Sequence, residues 1–202
     1  MIQINHLSKS FGSRKLFEDF SLAINDGDFV IFTGVSGCGK TTLLNMIGSL
    51  ETVDGGEIFV DGRDITKRKN QREYLRTQVG FLFQNFALVD HKTVEENLKL
   101  VQNDCRSGVS IEEALEAVGL AGQKDQKIYS LSGGEQQRAA LARLMIKKCG
   151  YILADEPTGS LDRKNAEIVF SILEKINESG KTMIMVTHDE AFQQTGKQVI
   201  PL

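Results

Sequence analysis

Phe29-Val30-Ile31-Phe32-Thr33-Gly34-Val35-Ser36-Gly37-Cys38-Gly39-Lys40-Thr41-Thr42 is the stretch on which the fold turns. The apolar run Phe29 to Phe32 reads as a buried strand, and it stops at a glycine-rich turn before a helix. Strand, G-x-x-x-x-G-K-[ST] loop and helix in that order are the setting a phosphate-binding loop requires. The glycines let backbone N–H groups point inward at phosphate, and the helix N-terminus adds a favourable dipole. Lys40 is then expected to reach the β- and γ-phosphates, Thr41 to ligate Mg²⁺ and Thr42 to touch the α-phosphate, with Cys38 as a small filler facing away. The candidate nucleotide cradle is therefore Gly34, Val35, Ser36, Gly37, Cys38, Gly39, Lys40, Thr41 and Thr42. By chance its four fixed positions would arise in roughly one chain of this length in a hundred.

Around the cradle, three more apolar runs read as strands of a largely parallel sheet: Val79 to Phe83, Tyr151 to Ala154 and Met183 to Val186. Ile2 to Leu7 and Leu16 to Ile24 alternate between apolar and polar residues, which predicts an antiparallel edge. Between 85 and 148 the pattern turns purely helical. Thr93-x-x-Glu96, Ser110-x-x-Glu113 and Ser132-x-x-Glu135 each have the form of a capping box. From Arg163 to Ser179 the apolar residues recur at helical spacing up to Gly180.

The expected fold is thus α/β: a parallel-sheet core with an antiparallel edge and an inserted α-helical subdomain. All of it forms one domain over 1–202, with 1–84 and 149–202 as core and about 85–148 as the helical part. At 202 residues the chain has room for one such unit and not for two motor domains.

Composition narrows the function. A net charge of −3 and the absence of a dense basic tract argue against nucleic-acid binding, and no apolar run is long enough to insert into a bilayer. Three cysteines without C-x-x-C spacing fit neither a disulfide framework nor a zinc site, so a reducing cytosol is expected. No secretory leader is evident at Met1.

Tyr151-Ile152-Leu153-Ala154-Asp155-Glu156 is an apolar strand ending in two acids. Adjacent carboxylates at a strand end point in different directions, so Asp155 is assigned to the Mg²⁺ shell and Glu156 to the water that attacks the γ-phosphate.

Leu131-Ser132-Gly133-Gly134-Glu135-Gln136-Gln137-Arg138 resembles the LSGGQ-type signature of ABC ATPases, and the resemblance covers essentially the whole chain. Ser132 caps a helix whose first N–H groups are left uncovered by Gly133 and Gly134, which makes a second anion site without a lysine of its own. The resemblance implies two ATPs sandwiched between head-to-tail protomers, with Asp162 of Ser160-Leu161-Asp162 in the dimer-contact loop or capping the helix that follows. It implies Gln84 as the residue touching Mg²⁺ or the lytic water, and His188 as the histidine that contacts the γ-phosphate. Phe11 matches the aromatic platform under adenine, where the family more often has Tyr. The lead Lys127-Ile128-Tyr129-Ser130 departs from the family's usual proline-bearing lead into the signature.

Asp155-Glu156-Pro157-Thr158-Gly159-Ser160-Leu161-Asp162 and Gly80 to Val89 look most like the lipoprotein-release, macrolide-export and cell-division branch, with bacteriocin and antimicrobial-peptide export similar. The expected function is ATP hydrolysis with ATP and Mg²⁺ by a homodimer. That dimer would drive an integral membrane permease from the cytoplasmic face, without inserting itself and without nucleic acid. The alternative is a regulatory module that signals through a membrane partner to cell-wall enzymes. A kinase or GTPase would leave the signature unexplained.

Overall fold

The computed structural model of the chain describes residues 1–189, 192 and 197–202. β1 (Ile2–Phe11) and β2 (Arg14–Ile24) form a hairpin, after which β3 (Phe29–Thr33) leads through the glycine loop into α1 (Lys40–Ile47). β4 (Gly55–Val60), β5 (Arg63–Asp64) and α2 (Arg68–Glu73) follow, then β6 (Val79–Leu82) and the helices α3 (Val94–Leu98), α4 (Ile111–Ala117) and α5 (Gly133–Ile146). The chain closes with β7 (Tyr151–Asp155), α6 (Arg163–Glu178), β8 (Thr182–Val186) and β9 (Gln198–Pro201).

Two sheets result. The five-stranded sheet has the order β6-β7-β8-β3-β9 and its pairs are parallel; the antiparallel sheet has the order β2-β1-β4-β5. The alternating segments near the start of the chain therefore pair with each other, and β1 also pairs with β4, whose glycine-led sequence carries little strand signal.

The period-2 geometry of the parallel strands divides the core. Phe29, Ile31, Ile152, Ala154, Met183 and Met185 pack with residues of α3 to α6. Their alternates Val30, Phe32, Leu153, Ile184 and Val186 pack with α1 and with Ile2, Ile4, Ile58 and Val60 of the antiparallel sheet. Burial on both faces explains why β3, β7 and β8 read as unbroken apolar runs. Each such side chain contributes roughly 1.5–3 kcal/mol. The three expected capping boxes all form, at Thr93, Ser110 and Ser132.

Topology sets up the site. Because β3, β6, β7 and β8 run the same way, the segments after them emerge at one edge of the sheet, where open α/β sheets place their ligands. Residues 34–39, Gln84, Glu156 and His188 are brought together in that way from four separate places in the sequence.

Candidate functional site

The loop after β3 is shaped around one ammonium group. Lys40 Nζ donates to the carbonyls of Gly34 (2.8 Å) and Val35 (3.0 Å), and the residue is only 5% exposed. Gly39, which precedes α1, has φ 109°, and a Cβ there would sit 2.9 Å from the Phe17 ring, so only glycine fits. Cys38 packs against Gly34 with its Sγ 3.7 Å from Lys40 Nζ. Val35 is 76% exposed.

A cleft of about 610 Å³ opens over this loop. Ser36, Gly37 and 39–42 line it from the loop and α1, joined by Phe11 from the hairpin, Gln84, Glu156 and His188. Phe11 is half exposed, with the buried Lys9 ammonium 5.0 Å from its ring centre. Phe17 is buried in the core and Phe20 packs against it, so Phe11 is the aromatic of the three that faces the cleft.

The two acids at the end of β7 diverge as their sequence position requires. Asp155 Oδ1 accepts a hydrogen bond from Thr41 Oγ1 at 3.0 Å, which places two hard oxygen donors side by side. Glu156 adopts a left-handed backbone at φ 46°, held by its N–H donating to Val186 O (3.0 Å) and its carbonyl accepting from Gly159 N (3.2 Å). Such strain in a non-glycine residue is a mark of functional sites. Its Oε2 accepts from the His188 N–H at 3.3 Å. Oε1 lies 3.3 Å from His188 Nε2 without making a hydrogen bond, and is buried. Both oxygens of the Glu156 carboxylate thus face His188, one bonded to its amide and the other beside its ring.

Burial pushes both the Asp155 and Glu156 carboxyls above the usual carboxylate range. The Thr41 hydrogen bond and Lys40 pull Asp155 partly back, and the His188 contacts do the same for Glu156. A raised carboxyl means that holding the charge costs the fold stability. That cost is present above the folded-state pKa and vanishes as pH falls below the ordinary Glu value of 4.5. Thermal melts of wild type and Glu156→Gln across pH should show the variant melting higher at neutral pH, with the gap closing toward pH 4. A variant that melts lower at neutral pH would contradict this.

The signature residues stand elsewhere. Ser132 caps α5 with its amide donating to Glu135 Oε2 (2.8 Å) and its hydroxyl bonded to the same oxygen (2.7 Å). Gly133 lines an adjoining cleft of about 670 Å³ with Asp155, Ser160 and Gln84, the last of which lines both clefts; neither Gly133 nor Ser132 nor Gly134 lines the Lys40 cleft. A Cβ on Gly134 would come within 2.4 Å of Asn165 Oδ1, so this glycine also serves the packing of α5 on α6. Asp162 caps α6, accepting from Asn165 N at 2.9 Å, and likewise does not line the Lys40 cleft.

Sequence reasoning missed Arg14, which lines the Lys40 cleft and donates to Gly37 O at 2.7 Å. Its signal is the hairpin register, which sets Arg14 directly opposite Phe11.

Comparison with known proteins supplies the family. The family model described as ABC transporter matches residues 17–159. The macrolide export ATP-binding/permease protein MacB of Campylobacter jejuni is 38% identical over 209 residues, an alignment that takes in the whole chain and 33% of that protein. The lipoprotein-releasing system ATP-binding protein LolD of Leptospira interrogans is 39% identical over 210 residues, covering the whole chain and 88% of LolD. The chain thus spans about a third of MacB and most of LolD. Among solved structures, the ATP-binding cassette MJ0796, a dimer in a post-hydrolysis state bound to ADP and Pi, superposes with a TM-score of 0.85 at 33% identity, covering 100% of this chain and 94% of that one. On its phosphate loop, its signature helix and these relatives, the chain belongs to the ABC transporter family.

Proposed function

We propose that this chain is the ATP-hydrolysing subunit of an ABC transporter of the LolD and MacB kind, working as a head-to-tail dimer that drives a separate membrane permease. The observation that carries the reading is that Ser132, Gly133 and Gly134 at the open N-terminus of α5 do not line the cleft that Lys40 lines, Gly133 lining an adjoining cleft that shares Gln84. The uncovered N–H groups at Gly133 and Gly134 then serve a triphosphate bound to a second copy, and twofold symmetry completes both sites at once. The dimeric form of MJ0796 supports this arrangement.

In each site Phe11 stacks on the base, the backbone of residues 34–42 with Lys40 holds the phosphates, and Arg14 stands beside Gly37 at the same cleft. Thr41 and Asp155, already joined through their oxygens, fit a Mg²⁺ ion, and Gln84 lies within reach of the same region. Such an ion supplies charge neutralisation for the β- and γ-phosphates. Glu156 accepts the proton of the attacking water. His188, whose amide fixes the other oxygen, orients the attack and contacts the γ-phosphate. The bond from the γ-phosphorus to the ADP oxygen breaks as the water oxygen bonds to phosphorus. Residues 85–148 act as the helical subdomain that passes nucleotide state to the permease.

No helix among the described residues is long and apolar enough to cross a membrane, so the membrane role falls to the partner. The names of MacB and LolD, macrolide export and lipoprotein release, support an exporter of an antibiotic or a lipoprotein, while a peptide cargo and the cytoplasmic face rest on the sequence resemblance. Co-expressed with a candidate membrane permease, the chain should co-purify in detergent and hydrolyse ATP several-fold faster than alone. A chain that neither binds such a permease nor responds to it would sink the reading.

A further inference from the structure

Gln137 sits in the second turn of α5 and is fully buried. Its Nε2 donates to Pro157 O at 2.6 Å, while its Oε1 has no hydrogen-bond partner. A buried amide oxygen without a partner is a cost that most native side chains avoid. Methionine or leucine would fill the same space without it. Packing therefore does not account for a glutamine here.

What the amide grips explains it. Pro157 directly follows Glu156, whose backbone is strained at φ 46° and whose side chain faces the Lys40 cleft. The helix that carries Gln137 is capped by Ser132, begins at Gly133 and reaches Gln137 one turn later. One rigid element therefore carries both the open N–H groups offered to the other copy's nucleotide and the amide that holds the general-base turn of its own site. Further along α5, Arg143 donates to the carbonyls of Ala87 (2.6 Å) and Phe86 (3.2 Å), two residues with left-handed backbones at φ 48° and 62°. These lie in the turn that follows Gln84. The helix is tied at separate points to two loops that contribute to the Lys40 cleft.

We propose that Gln137 is a positioning residue that links the two nucleotide sites, so that closure of α5 on one ATP sets the Glu156 turn beside the other. The proposal rests on the head-to-tail reading above. The unpartnered Oε1 of Gln137 is the acceptor available to a backbone N–H of the Pro157–Ser160 turn when that turn moves.

The test compares wild type with Gln137→Met, and with Gln137→Leu as a second apolar replacement should the first fold poorly. ATP affinity should stay at its wild-type value and the melting temperature should not fall. The hydrolysis rate at saturating ATP should fall about tenfold at unchanged KM, and the Hill coefficient should drop from about 2 toward about 1. Wild-type turnover and cooperativity in both variants would overturn the proposal, as would a rate loss matched by lost affinity or lowered melting temperature, which marks a packing role. Adding Gln137→Met to Glu156→Gln separates the two readings. An ATP-dependent dimer should persist in the double variant; absence of any such dimer in Glu156→Gln itself would remove the two-site reading, and this proposal with it.

Discussion

Glu156→Gln is expected to bind ATP with little loss, hydrolyse it about 10²–10⁴-fold more slowly, and accumulate as a dimer. The rate falls because an amide oxygen is a far weaker proton acceptor than the carboxylate that Glu156 presents at the cleft. Binding survives because the phosphate contacts come from the loop and Lys40, which the substitution does not touch. The dimer accumulates because ATP bridges two copies and favours the closed state over the open one, and slow hydrolysis removes the step that reopens it. Size-exclusion chromatography with ATP, beside single-turnover hydrolysis, reads both effects. Wild-type turnover in this variant would show that another group takes the proton.

Lys40→Ala should behave in the opposite way, losing nucleotide binding itself and with it the dimer. Charge-assisted hydrogen bonds are worth about 1.5–3 kcal/mol each, so removing the ammonium should raise the ATP dissociation constant on the order of 10²-fold. The Gly34 and Val35 carbonyls also lose their shared donor, so a melt of the variant must accompany the titration. Unchanged ATP affinity in a folded Lys40→Ala protein would contradict the phosphate-cradle assignment.

The parts of the fold that can be read in advance are those where local chemistry leaves one solution. β3, β7 and β8 are buried on both faces, so their sequences are unbroken apolar runs, and the helix starts at Thr93, Ser110 and Ser132 each carry their own capping pair. β4 and β5 carry no such signal. Gly55-Gly56-Glu57 has no alternation, and β5 is two residues long; both form because β1 and then β4 offer an edge to pair with. The short α2 and the turn around Tyr74 are similarly fixed by tertiary contacts, including the Tyr74 hydroxyl donating to Ile47 O.

At the site, motif spacing points to the cradle and the two acids and the family resemblance to Gln84 and His188, and the structure brings Lys40, Gln84, Glu156 and His188 to one cleft. Arg14 and Gln137 are not legible, because their significance depends on a hairpin register and on a contact between α5 and the segment after β7 that no local pattern encodes.

The most direct test of the head-to-tail account is a crystal structure of Glu156→Gln with ATP and Mg²⁺. The account predicts two nucleotides at a twofold interface, each held by Lys40 of one copy and met at its γ-phosphate by the Ser132–Gly134 end of α5 from the other. A triphosphate enclosed by a single copy, with Ser132 of every copy far from any phosphate, would contradict it.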